Sequence, residues 1–197
     1  MFTGIIEATG KIMSIQPDGS NLNLVIDSSI SSALKVDQSV AHNGICLTIT
    51  RTENGFHETT AVSETISKTN LGQYKPGDLI NLERCMPANG RFDGHIVQGH
   101  VDGLGRIIGI TDLKGSWKID FEYDSTVGEV VVEKGSICVN GVSLTCFNCG
   151  TGHFSVAIIP YTWTHTNFHK AKVGDSVNLE FDIIGKYVRR LLNQQVS

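Results

Sequence analysis

Two short runs of the chain carry one chemical pattern. Cys46-Leu47-Thr48 sets a thiol two residues before a hydroxyl, and Ser143-Leu144-Thr145 sets a hydroxyl two residues before another. Residues two apart on a strand point to one side, so each run offers a pair of polar atoms to one ligand. A thiol whose pKa is lowered attacks electron-poor carbon. An imidazole such as that of His100 takes a proton near neutral pH. Each of these residues also has a plain reading. Threonine is ordinary in strands, a strand cysteine commonly serves as a small buried hydrophobe, and His100 fits a hydrogen-bonded barrel histidine. His95, just after Gly94, reads as a strand entry. Cys146 and Cys149 form a CxxC with His153 close by, but no second ligand pair accompanies them, and the segment reads as a hairpin tip. His42, His57, His165 and His169 show no metal-ligand spacing.

The elements that position these groups come in two copies. SVAHNGICLT at residues 39–48 recurs as SICVNGVSLT at 136–145, with five of ten positions identical. Residues 65–83 match 162–180 at the same offset of 97, nine of nineteen positions being identical, with Thr-Asn, Gly-Asp and Asn-Leu-Glu in the same order. Upstream, Gly4 aligns with Gly99 and Ile5 with His100, so one copy carries a titratable ring where the other carries an aliphatic side chain. Two long copies indicate a duplicated domain rather than a solenoid, and 197 residues suit two domains of ordinary size. Such a chain could hold two similar ligands in two similar pockets and treat them differently.

Each copy reads as short strands. Asn43-Gly44, Asn54-Gly55 and Asn140-Gly141 sit between alternating runs, the signature of a tight hairpin. Six or so strands with turns every eight to twelve residues predict a small closed barrel per copy, with short helical turns at 63–68 and 161–165. The boundaries expected are 1–87 for the first barrel, 88–93 for a linker, 94–184 for the second barrel and 185–197 for a helix. That helix places Ile184, Tyr187, Val188, Leu191 and Leu192 at spacings of three and four. A helix of about a dozen residues is marginal alone in water, so its apolar stripe must dock, either on its own barrel or on copies from other subunits.

Forty per cent apolar residues suffice for two modest cores, and a net charge of −4 gives no reason to invoke nucleic acid or an anionic membrane surface. No apolar run reaches membrane-spanning length, and MFTGII lacks the basic and apolar regions of a signal peptide. A soluble, cytoplasmic chain with reduced thiols is expected.

MFTGII, SVAHNGICLT, the TNLG after SETISK, GHIVQGHVDG and KGSICVNGVSLT, taken in order and in both halves, resemble the riboflavin synthase alpha-chain family. The resemblance covers nearly the whole chain. It implies an all-β fold of two similar six-stranded Greek-key barrels plus a C-terminal α-helix, through which three chains associate. It implies two molecules of 6,7-dimethyl-8-ribityllumazine as substrates, a four-carbon transfer between them, and no metal or organic cofactor. The active site would lie between the first barrel of one chain and the second barrel of the next.

By the same resemblance, His100 is the candidate base, helped by Thr145, while Ser39 and Cys46 serve the partner lumazine. The binding set in the first barrel is Gly4, Ile5, Ile6, Cys46, Leu47, Thr48, Thr60, Ala61, Val62, Ser63, Glu64 and Thr65. In the second it is Gly99, His100, Val101, Lys134, Ser143, Leu144, Thr145, Ile159, Pro160, Tyr161, Thr162, Trp163 and Thr164, with Asp182 a further acid near the site. Ile45 stands where some relatives carry another cysteine. The rival expectation is a non-catalytic lumazine- or flavin-binding protein on the same duplicated barrel. The joint presence of Ser39, Cys46, His100 and the apolar C-terminal stripe favours the enzyme.

Overall fold

A computed structural model describes residues 1–127 and 130–194. The first half builds β1 (Ala8–Asp18), β2 (Asn21–Asp27), β3 (Ser39–His42), β4 (Ile45–Glu53), β5 (Phe56–Ala61) and β6 (Leu79–Arg84). The second builds β7 (Gly103–Asp112), β8 (Trp117–Tyr123), β9 (Ser136–Val139), β10 (Val142–Gly150), β11 (His153–Ile158) and β12 (Ser176–Phe181). Each set closes into an antiparallel barrel. The first runs β1-β2-β5-β4-β3-β6, and the second follows the same circle, β7-β8-β11-β10-β9-β12. A short helix, α1 (Ser63–Lys68) or α2 (Pro160–His165), precedes the last strand of each barrel, and α3 (Ile183–Gln194) follows the second. Residues 195–197 of the expected helix lie outside the described residues. No helix among the described residues is long and apolar enough to cross a membrane.

The Asn-Gly turns form because both central residues take positive φ: 48° and 78° at Asn43 and Gly44, 47° and 83° at Asn140 and Gly141. Alternation then sorts side chains. On β4, Ile45, Leu47 and Ile49 enter the core, and Cys46 and Thr48 face outward. On β10, Val142 and Leu144 pack inward, and Ser143 and Thr145 face out. Both chemical pairs therefore sit on barrel exteriors.

The barrels meet across a seam of asparagines with approximate two-fold symmetry. Asn81 Nδ2 donates to the Asn140 carbonyl, and Asn178 Nδ2 donates to the Asn43 carbonyl, both at 2.9 Å. The Asn70 amide donates to Asn178 Oδ1 at 2.9 Å, and the Asn167 amide to Asn81 Oδ1 at 2.7 Å. A Cβ on Gly44 would stand 2.8 Å from the backbone nitrogen of Gly141, and the reverse holds equally. Only glycine lets the two turns approach so closely.

The cores differ. The second stacks Phe121 on Phe154 with ring centroids 5.0 Å apart. The first holds His42 of β3 and His57 of β5, the latter at the place of Phe154, their Nε2 atoms 3.0 Å apart. On α3, Ile184, Tyr187, Val188, Leu191 and Leu192 are each more than half exposed, so the stripe does not pack on its own barrel. The helix is tied down at its start, where Lys186 Nζ meets Asp102 Oδ2 at 2.6 Å.

Candidate active site

Two loops that precede the barrels bring the candidate residues together, and each loop is held by a buried carboxylate. Glu83, at the end of β6, accepts from the Thr3 amide at 2.6 Å, the Thr3 hydroxyl at 2.8 Å and the Gly4 amide at 2.9 Å. Glu180 on β12 accepts from the amides of Gln98 at 2.6 Å, Gly99 at 2.9 Å and His100 at 3.0 Å. Burial raises both carboxyls, and the amide donors pull them back.

Each loop then crosses to the opposite barrel. The Gly4 carbonyl accepts from the Ser143 amide at 2.8 Å, and the Gly99 carbonyl accepts from the Cys46 amide at 2.9 Å. A side chain on Gly4 would strike Ser143 Cβ, and one on Gly99 would strike Cys46 Cβ, both at 2.6 Å. Ile6 accordingly packs on the second core and Val101 on the first. Phe2, fully buried, locks the crossing by exchanging two backbone hydrogen bonds with Val97, at 2.7 and 3.1 Å.

At the first edge, Cys46 is half-buried. Burial raises its thiol, and the nearby Ser39 hydroxyl works the other way. Ser39 pairs with Thr48 across β3 and β4. Ile5 is exposed and lines a cleft of about 480 Å³ shared with Gln38, Glu83 and Cys85. His100 lies on the loop against Cys46, its side chain in solvent. Thr145 is also exposed, and no hydrogen bond joins it to His100 among the described residues.

At the second edge, His95 Nδ1 and Ser143 Oγ are 2.6 Å apart. Burial lowers His95, and Asp182 is near enough to raise it. Asp182 also accepts from the Ile184 amide at 3.0 Å, at the start of α3. Lys134, with φ of 63°, sets its Nζ 5.8 Å from the centre of the Phe147 ring.

The segments after β5 and β11 flank these edges. Thr60 donates to Asn23 Oδ1 at 2.6 Å. Ala61 and Leu47 lie in the core, so only their backbones can meet a ligand. Val62, Ser63 and Glu64 are exposed, Thr65 is half-buried, and Ile159, Pro160, Tyr161 and Thr164 are exposed. Thr162 gives its carbonyl to Thr166 Oγ1 at 2.7 Å, and Trp163 stacks on Trp117 at 4.3 Å. Sequence reasoning passed over Glu83 and Glu180 and read His95 only as a strand entry, whereas His95 lies outside the strands and meets Ser143. The glutamates were visible as the invariant end of the Asn-Leu-Glu repeat, but nothing local marked them as loop anchors. No cluster of three or more metal-ligating side chains is gathered among the described residues.

The lumazine binding domain family matches this chain twice, at residues 3–85 and 98–182. The riboflavin synthase of Actinobacillus pleuropneumoniae is 41% identical over 98% of this chain and 90% of its own length. That of Bacillus subtilis (strain 168) is 41% identical over 98% of this chain and 91% of its own. The chain belongs to the riboflavin synthase family. Among solved structures, LumP complexed with riboflavin superposes with a TM-score of 0.85 at 22% identity, covering 92% of this chain and 99% of that one. LumP complexed with 6,7-dimethyl-8-(1'-D-ribityl) lumazine gives 0.83 at 20% identity, covering 91% and 98%. The LumP likeness establishes the duplicated fold. The two segments that match the lumazine binding domain include both anchoring glutamates and both crossing glycines.

Proposed function

We propose that this chain is a riboflavin synthase. It converts two molecules of 6,7-dimethyl-8-ribityllumazine into riboflavin and 5-amino-6-ribitylamino-2,4(1H,3H)-pyrimidinedione by moving a four-carbon unit from one to the other. The single observation that carries this reading is the 41% identity with synthases along nearly the entire chain. The twin edges support it. Two identical substrates call for two similar surfaces, and their unequal roles call for the differences at Cys46 against Ser143 and Ile5 against His100.

The chemistry divides accordingly. The C7 methyl of one lumazine is acidic because its carbanion spreads into the ring. His100, on a loop anchored by Glu180 and held against Cys46, is the base that takes this proton. Cys46 and Ser39 lie on this same edge, and Ser143 and Thr145 line the edge that takes the other lumazine. Cys46, whose thiol burial raises, polarises its substrate with the Ser39 hydroxyl beside it. Stacking the two rings in antiparallel order supplies rate through orientation. Because both edges lie on barrel exteriors, each needs a facing barrel to enclose its ligand. A neighbouring copy supplies it, in a homotrimer joined by the bare stripe of α3. No resident cofactor takes part.

The test is direct. Purified protein supplied with 6,7-dimethyl-8-ribityllumazine alone produces one riboflavin for every two lumazines consumed, followed by fluorescence and chromatography. Tight binding without product over hours would instead make the chain a carrier.

A further inference from the structure

The seam between the barrels breaks its own symmetry at one position. In the first half, Tyr74 follows the turn Asn70–Gln73, and its hydroxyl is held twice: Asn43 Nδ2 donates to it at 2.6 Å, and it donates to Asn70 Oδ1 at 2.5 Å. In the second half the same turn, Asn167–Lys170, ends at Ala171 with nearly the same backbone. The ring and its hydroxyl are missing there. The cradle remains: Asn140 replaces Asn43 and Asn167 replaces Asn70.

A cleft of about 290 Å³ opens at this place; its second-half side includes Ile107, Asn140, Asn167, Phe168, Ala171 and Val177, with the charged Lys170 and Asp175 also on its wall. Asn140 is only 8% exposed. Its Oδ1 accepts from the Asn178 amide at 2.8 Å, but its Nδ2 has no acceptor among the described residues, whereas Asn43 Nδ2 has the Tyr74 phenol. Asn167 Oδ1 accepts from Asn81 Nδ2 at 3.0 Å and keeps a second lone pair. Ile107, Phe168 and Val177 give an aromatic ring apolar surface to pack on, and a few convergent polar groups fix how it lies.

We infer that this cleft is a binding site for a small phenol, a single hydroxylated aromatic ring. The ring occupies the volume that Tyr74 fills in the other half, packed on Ile107, Phe168 and Val177. Its hydroxyl accepts from Asn140 Nδ2 and donates to Asn167 Oδ1. The template is on the molecule itself, where a covalently attached phenol already sits in the equivalent cradle. The site is separate from the Cys46 and Ser143 edges. The occupant touches the Asn140-Gly141 turn, from which β10 springs, and so braces the seam.

The experiment is a titration of the full chain with phenol, followed by amide chemical shifts and by thermal melting. Saturable shifts centred on Asn140, Gly141 and residues 168–172, with a melting temperature that rises with phenol concentration, support the site. Toluene, which lacks the hydroxyl, should bind at least fivefold more weakly. Ala171→Tyr supplies the missing ring, so it should weaken phenol binding at least tenfold and raise the melting temperature without phenol. Ala171→Leu, which fills the hole without a hydroxyl, gives the same loss of binding and serves if the tyrosine variant does not fold. Shifts that never saturate, that map elsewhere, or that persist undiminished in either variant overturn the inference.

Discussion

Glu180 joins chemistry to architecture at the level of one side chain. It is almost fully buried and satisfies three consecutive amides of the loop that carries His100. Hydrogen bonds to a charged group contribute about 1.5–3 kcal/mol each, and they are not additive. Glu180→Gln replaces one accepting oxygen with a donor facing backbone N–H groups. We expect it to lower stability by about 2–4 kcal/mol and to cut turnover more than the melt alone explains, because His100 loses its fixed position. Denaturant unfolding and steady-state rates measured together check this; a variant with normal turnover would leave Glu180 a purely structural anchor. At this scale the sequence was legible where types and spacing sufficed. Cys46, Thr48, Ser143 and Thr145 read as outward-facing pairs, and they face outward. The roles of Glu83, Glu180 and His95 did not declare themselves, because they depend on partners about eighty residues away or, for the loop residue His95, on a serine of β10.

Among the elements, the first barrel carries a liability that the second lacks. His42 donates from Nδ1 to the Val40 carbonyl at 3.0 Å, which leaves its Nε2 to accept from His57 Nε2. His57 Nδ1 then accepts from the Ser31 hydroxyl at 2.7 Å. This single chain of donors works only with both rings neutral. Burial, then the neighbouring His57, pushes His42 down to about 3, and burial pushes His57 to about 4. Between those values and the ordinary 6.5, the unfolded chain binds protons that the folded one refuses. Stability therefore falls as pH drops from about 6.5 towards 4, by up to about 1.4 kcal/mol per pH unit for each ring. Installing the second barrel's residues, His42→Val with His57→Phe, should flatten that acid limb. Unfolding midpoints at pH 7 and pH 4.5 measure it, and an unchanged difference would assign the acid loss elsewhere. Strand legibility follows a similar physical line. The Asn-Gly hairpins were plain in the sequence. β1 and β7 were not, because each is bulged, after Ile12 and after Ile107, and a bulge turns Met13 and Ile108 out of the alternating pattern.

For the molecule as a whole, the duplication could be read before any coordinates, since identities such as Asn-Leu-Glu recur in register. The exchange of loops between barrels could not be read. Nothing in the letters around Gly4 or Gly99 says that their carbonyls serve the other half. The docking of α3 was open in the residues alone, and the structure leaves the stripe bare. Changing Leu191 and Leu192 together to lysine puts charge into that stripe, and we expect the protein to sediment at one-chain mass with most of its activity gone. Retention of the larger mass would place the association on another surface.

The asparagine seam has a consequence for ancestry. Every asparagine it uses in one half has a counterpart in the other, so a lone half carries both sides of its own interface. Two separate copies of residues 1–97 can clasp about a true dyad with the same amide-to-carbonyl pattern, and such a fragment should run as a dimer in solution. Tethering the halves in one polypeptide removed the need for the clasp to stay identical on both sides. The alanine opposite Tyr74 is a mark of that freedom.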